Sequence, residues 1–236
     1  MKRALLATML ATAVLGARAP AAAPSDPARL DRLRATVADY ERQVAVLEAT
    51  QAVENLQDAW GYYVDKGLWD RAASLFAADG TYEYGQQGVY VGRRHIEQAM
   101  RLIGPQGLAK GQLNLMPQLQ PYIDVAPDGL SAKARWRTNQ MILTPDGKGR
   151  WGAGVFENDY VKQGRQWKIA RLHFYVTFLA DYDKGWDHDQ IPMAGASTTL
   201  PPDRPPTEIY QSLPGAYAPP YHYANPVTGR SGKWPQ

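Results

Sequence analysis

The sequence predicts an α+β domain in which helices come first and a curved antiparallel sheet follows, with the helices on one face of that sheet. Three observations predict it. Apolar residues recur at helical spacing up to about residue 66. Long strand-like runs fill residues 112–179. Short turn signals separate those runs at hairpin distance: Pro127-Asp128-Gly129, Pro145-Asp146-Gly147 and Lys162-Gln163-Gly164.

The chain opens with Lys2 and Arg3, an apolar run from Ala4 to Gly16, and Ala17-Arg18-Ala19. A basic start, an apolar stretch too short for a membrane span and a small-x-small site read as a signal peptide over 1–19, which implies a periplasmic or secreted protein. Residues 20–30, rich in Ala and Pro, read as a linker. Three of the 26 basic residues and none of the 23 acidic ones lie in the first 19, so the cleaved chain carries 23 against 23. That balance leaves no basic footprint for a nucleic acid or an anionic membrane. With no cysteine, disulfides, thiolate nucleophiles and thiolate metal sites are excluded. The 14 Tyr and 7 Trp, against 4 Phe, suit pockets and interfaces, because each joins an apolar ring to a polar tip.

Asp31 is placed to cap a helix over 31–49. There Leu33, Val37, Tyr40, Val44 and Leu47 repeat at heptad spacing, a seam suited to packing on the domain or on a sister subunit in a homodimer or homotrimer. The pattern then changes phase. Val53, Leu56, Trp60 and Tyr63 form a second helical face, closed by Lys66-Gly67. A short helix is predicted in WDRAASLFA, a hairpin in TYEYG and GVYVG, and a third helix over 93–103. Four strands are predicted over 112–126, 130–144, 150–162 and 166–179, completing a main domain over 50–184. The rest, 185–236, is rich in Pro, Tyr and Gly and reads as an irregular arm wrapping the domain or a neighbour.

GLWDRAASLFAADGTYEY, VGRRHIEQAM and GRQWKIARLHFY, in that order, resemble the nuclear transport factor 2-like superfamily, and within it the SnoaL-like branch of dehydratases, cyclases, isomerases and lyases. The resemblance covers about residues 50–180. It implies a cone: a bent antiparallel sheet whose concave face is closed by the N-terminal helices, with the pocket inside. It also implies side-chain acid–base chemistry with no cofactor and no metal. The acid that bile-acid dehydratase-like members carry at the end of the long helix corresponds to Asp65. Their Tyr, His and second acid correspond to Trp60, Met116 and Gln140, which are departures, and the base of isomerase-type members corresponds to Tyr84.

Strand alternation extends the candidate site. Trp167 and Ile169 are the apolar pair expected on the concave face, and Arg171, His173 and Tyr175 share their parity. Ala134, Trp136, Thr138 and Gln140 share a face of their strand, with Lys133, Arg135 and Arg137 opposite. The expected catalytic groups are therefore Asp65, Tyr84, His173, Arg171 and Tyr175. Walls and substrate contacts fall to Trp60, Tyr62 or Tyr63, Met116, Trp136, Gln140 and Phe156. Burial raises a carboxyl pKa and lowers that of an imidazole, bringing both toward the range where proton transfer is efficient. Three weaker signals are set aside. GKGRWG over 147–152 lacks the strand-then-helix context of a dinucleotide loop. WDHDQ over 186–190 reads as an exposed polar loop rather than a metal site. His95 and His222 read as bystanders.

The expected function is a cofactor-free lyase that removes water or a one-carbon unit, formaldehyde, from a bulky hydroxylated aromatic compound such as a lignin-derived dimer. The expected partner is thus a small hydrophobic aromatic substrate rather than a macromolecule. Within the resembling superfamily, lignin-dimer γ-formaldehyde lyases act through a quinone methide, and the chain is compatible with that chemistry. The alternatives are a non-catalytic binding or oligomerisation module, and an isomerase or polyketide cyclase-like enzyme.

Overall fold

The structure, a computed structural model, describes residues 26–230. The expected signal peptide and most of the 20–30 linker lie outside the described residues. The chain divides into two compact units, one up to Glu41 and one from Arg42 on.

Helix α1 runs from Pro27 to Asp65 as one element of 39 residues. It starts earlier than expected, because Asp26 rather than Asp31 makes the cap: its carboxylate accepts the Ala28 N–H at 3.1 Å. Pro27 follows at the first helical position, where a missing N–H costs nothing. The two expected apolar faces belong to this single helix. Leu33, Val37, Tyr40, Val44 and Leu47 are exposed, and the buried stripe begins at Ala49 and continues through Val53, Gln57, Trp60 and Val64. Gly67, at φ +62°, turns the chain out of the helix in a left-handed conformation that suits glycine. Helix α2, Trp69–Ser74, and helix α3, Arg93–Met100, lie within the runs predicted for them.

The strands are β1 Phe76–Tyr84, β2 Val89–Val91, β3 Leu113–Leu115, β4 Leu119–Val125, β5 Ser131–Leu143, β6 Gly149–Gln163 and β7 Gln166–Asp181. They form one curled sheet in the order β2-β1-β7-β6-β5-β3, with β4 also paired to β5. The fold class is α+β, as expected, with one amendment: β1 pairs with β7 in parallel, so the sheet is mixed. A second difference is the break in the run expected as one strand over 112–126. Pro117 stands between β3 and β4; it has no N–H to give a ladder and disfavours a central strand position.

The C-terminal half of α1 closes over the concave face, where Trp60 meets Phe156 edge-to-face at 5.3 Å between ring centres. That face also carries Ala134, Trp136, Phe174 and Leu172, all nearly or fully buried. Gly154 makes the packing possible, since a Cβ there would lie 2.1 Å from Cζ of Phe174. On the outer face lies the arm. Tyr210 accepts the Val176 N–H, Thr207 binds Glu83, and Tyr223 stacks on Tyr122 at 4.1 Å.

Candidate functional site

The register of β7 decides which groups meet. Tyr160 pairs with Ile169 but Asp159 pairs with Arg171, so the ladder absorbs one extra residue between Ile169 and Arg171. This bulge reverses the side-chain alternation. Trp167 and Ile169 face the core as expected. Leu172 and Phe174 then take the concave face, opposite Asn158 and Phe156. Arg171, His173 and Tyr175, expected inside the cone, stand on the outer face beside Asp159 and Glu157. The chamber in which Asp65 and His173 aim at a common point is therefore not formed.

What remains inside comes from α1, β1, β5 and the β3–β4 break. Asp65, 7% exposed, closes α1, and its Oδ1 accepts the Met116 N–H at 2.7 Å. Burial raises its carboxyl above the ordinary range, against the smaller opposing pull of that hydrogen bond and of Lys66. Tyr84 and Gln140 meet across the concave face: the Gln140 amide donates to the Tyr84 hydroxyl at 2.7 Å and lies 3.5 Å from the Met116 sulfur. Burial pushes the Tyr84 phenol up to about 12, so it is a neutral donor at physiological pH. The alternation expected of β5 is present, with Trp136 and Gln140 both buried on this side.

Two cavities touch this group. An open groove of about 330 Å³ is lined by Asp58, Tyr62, Asp65, Leu115, Met116 and Gln118, among others. An inner pocket of about 10 Å³ is lined by Trp60, Val64, Trp69, Tyr84, Met116 and Phe156, among others. Met116 lines both and stands as the partition. The Trp60 indole N–H is buried with no hydrogen-bond partner among the described residues, a donor left open to an acceptor from elsewhere. Of the two candidate tyrosines, Tyr62 lines the groove; Tyr63 is half-buried against the core and lines neither cavity. Trp136 also lines neither, and its indole N–H is held by the Tyr160 hydroxyl at 3.1 Å. Asp58, which sequence reasoning missed, stands two helical turns before Asp65 on the same face of α1. Its carboxyl is also raised, first by burial and then by Glu54.

The outer-face groups form a separate cluster under the arm. His173 Nδ1 lies 3.4 Å from Glu83, whose carboxylate accepts from both the amide and the hydroxyl of Thr207. Burial holds the imidazole down to about 3, helped by the Arg171 charge, and burial raises Glu83 against the opposing pull of Thr207 and Arg171. Tyr175 stacks on His173 at 3.8 Å. Arg171 pairs with Asp159 at 3.3 Å. His222, set aside as a bystander, stands 2.6 Å from Glu157 and 3.2 Å from Asp159. The signal missed was its tyrosine setting, YHY, in an arm that docks on charged strands.

Among the described residues no group of three or more His or acidic side chains is arranged to hold a metal ion, and no helix is long and apolar enough to cross a membrane. Asp187 and His188 pair with each other, exposed, and GKGRWG is the turn into β6.

Residues 45–173 match the SnoaL-like domain. A putative scytalone dehydratase from Novosphingobium aromaticivorans DSM 12444 superposes with a TM-score of 0.52 at 20% identity, covering 64% of this chain and 99% of that one. LinA superposes at 0.53 and 15% identity, covering 59% and 93%. A type 2 hexachlorocyclohexane dehydrochlorinase (LinA) gives 0.51 and 14%, covering 59% and 92%. At these identities the likeness is one of fold. No curated protein matches the chain. Because the SnoaL-like domain spans more than half of the sequence and the helices and curled sheet are those of its fold, the chain belongs to the SnoaL-like domain family.

Proposed function

We propose that the chain is an exported, cofactor-free lyase that eliminates water or a one-carbon unit from a bulky hydroxylated aromatic compound, with Asp65 as its acid–base group. The observation that carries this reading is a buried carboxyl with a raised pKa, held by one backbone N–H, in the wall of a groove of about 330 Å³. That volume is within the range of small-molecule sites. The second carboxyl oxygen has no hydrogen bond among the described residues, which leaves it for a substrate proton. Tyr62, Leu115, Met116 and Leu119 supply apolar wall to the groove.

For a phenol with a benzylic hydroxyl and a neighbouring hydroxymethyl group, the steps balance without an oxidant. Asp65 takes the phenol proton, the benzylic hydroxyl leaves as water with a proton returned to it, and a quinone methide forms. The carboxylate then takes the hydroxymethyl O–H proton. The carbon–carbon bond breaks, formaldehyde departs, and the electron pair restores the aromatic phenolate, which recovers the proton. Tyr84 and the open Trp60 N–H serve as hydrogen-bond donors to oxygen once Met116 turns aside. Incubation with phenolic dimers tests this, read by stilbene-type ultraviolet absorbance and released formaldehyde. Asp65→Asn is expected to lose about 10²–10⁴-fold in kcat; full turnover in that variant overturns the assignment.

The second reading, a binding module, rests on the same groove of about 330 Å³, filled without turnover. A ligand-dependent rise in melting temperature with no product formed would support it. We also propose self-association through the exposed Leu33, Val37 and Tyr40 of α1. Light scattering of Val37→Asp against the parent chain tests it, with a smaller particle expected for the variant.

A further inference from the structure

Because Pro117 breaks the strand, Met116 lies between β3 and β4 and neither of its backbone groups joins a ladder. Both are satisfied by side chains instead. The N–H goes to Asp65 at 2.7 Å, and the carbonyl accepts the Gln118 amide at 2.6 Å. Gln118 is itself held, its Oε1 accepting from Gln57 at 2.7 Å. Gln57 is fully buried and accepts from the Tyr160 hydroxyl at 2.7 Å and from Asn158 at 3.1 Å. A line of hydrogen bonds therefore runs from the sheet, through Gln57 of α1 and Gln118, to the Met116 carbonyl, and the backbone of Met116 joins it to the N–H that meets the carboxyl.

We infer that Gln118 is a positioning residue for Asp65, fixing the Met116 peptide groups so that the N–H stays aimed at the carboxylate. Gly61 provides the seat. A Cβ at Gly61 would lie 2.8 Å from Cγ of Gln118, so any larger residue displaces the clamp. Glycine is less favourable than alanine inside a helix, and close approach of Gln118 is what this position gains in return. The charged groups beside Asp65 are Asp58 from α1 and Lys66 in the turn just after it; the segment 115–119 brings none. Burial, to which that segment contributes, raises the carboxyl, and the hydrogen bond from Met116 opposes the rise; a misplaced N–H withdraws the interaction that favours the charged form.

The significance of the clamp for turnover rests on the proposed role of Asp65; its existence does not. The test is a carboxyl carbon-13 NMR titration of Asp65 in the full chain, assigned with Asp65→Asn, in Gln118→Leu and in Gly61→Ala. Both variants are expected to move the Asp65 midpoint upward. Gly61→Ala is the sharper case, because it removes no polar atom and raises helix propensity. A folded Gly61→Ala protein with an unmoved Asp65 midpoint overturns the inference, and so does an unmoved midpoint in Gln118→Leu. Where a substrate turns over, the acidic limb of the pH–rate profile moves with the titration and kcat falls about ten- to a hundred-fold with KM little changed. A shifted midpoint in a protein with no turnover sustains the clamp and removes the lyase reading instead.

Discussion

His222 Nδ1 lies 2.6 Å from a carboxylate oxygen of Glu157, a residue 1% exposed in the middle of β6. The other ring nitrogen stands 3.2 Å from Asp159, and Arg135, which also pairs with Glu157, donates to the Pro219 carbonyl at 2.8 Å. The arm is thus tied to the sheet by a histidine between two acids. Burial works against its charge, but the two carboxylates outweigh that and push the imidazole up to about 9.

The first prediction follows from the sign of that shift. A folded-state pKa above the unfolded value of 6.5 contributes stability that is complete below 6.5 and lost as pH rises through about 9. His222→Ala is expected to cost about 1–3 kcal/mol at pH 6, and much less at pH 10. Urea unfolding of the parent and variant at both pH values checks it. An equal difference at pH 6 and pH 10 would show that the contact does not depend on the proton.

His173 has the opposite sign. Its imidazole is held down to about 3, so its contribution is present above 6.5 and is lost as pH falls from there toward 3, where the unfolded chain takes up a proton that the folded one refuses. The ring's NMR signals are expected not to titrate between pH 5 and 8. His173→Phe, which keeps the stack on Tyr175, should unfold at a lower pH than the parent. Because His173 lies on the outer face, the same variant should keep its turnover; a loss as large as that of Asp65→Asn would return it to the site.

The helices, the three hairpin turns and the concave face of β5 were legible because each rests on local chemistry: spacing, turn residues, and alternation in an unbroken strand. Asp65 was legible because a helix end closed by Lys66-Gly67 fixes where it stands. The placement of Arg171, His173 and Tyr175 was not, because the residues around Ala170 do not announce the bulge that reverses them. The pairing with β6 imposes it. His222 and Asp58 escaped for a related reason. Each gains its meaning from partners that only the tertiary fold brings near: two acids on β6 for one, and the groove formed with the 115–119 segment for the other.

Met116 separates the groove from the inner pocket, and its unbranched side chain is the adaptable part of that wall. Met116→Ala keeps the backbone N–H that Asp65 uses and removes the partition. The variant is expected to lose about 2–5 kcal/mol of stability, as large-to-small changes at buried positions do. It should also bind an aromatic probe that the parent excludes, read as a larger ligand-induced rise in melting temperature for the variant than for the parent. Equal rises would mean that Met116 is not what closes the inner pocket.

Gly154 lies where β6 crosses beneath the ring of Phe174. A Cβ there would stand 2.1 Å from Cζ of that ring and 2.5 Å from the Tyr175 carbonyl oxygen. Neither neighbour can yield cheaply: the ring is packed against Phe156 at 4.7 Å and Tyr84 at 4.8 Å, and the oxygen belongs to the β7 backbone. Gly154→Ala is therefore expected to destabilise by about 1–3 kcal/mol, the range for an overpacked core, even though alanine suits a strand interior no worse than glycine. The displaced ring would press on Tyr84, so the hydrogen bond from Gln140 should weaken as well. Thermal unfolding measures the first effect, and the ultraviolet titration of Tyr84, identified by its loss in Tyr84→Phe, measures the second. A Gly154→Ala protein as stable as the parent would mean that the ring does not lie over the strand as described.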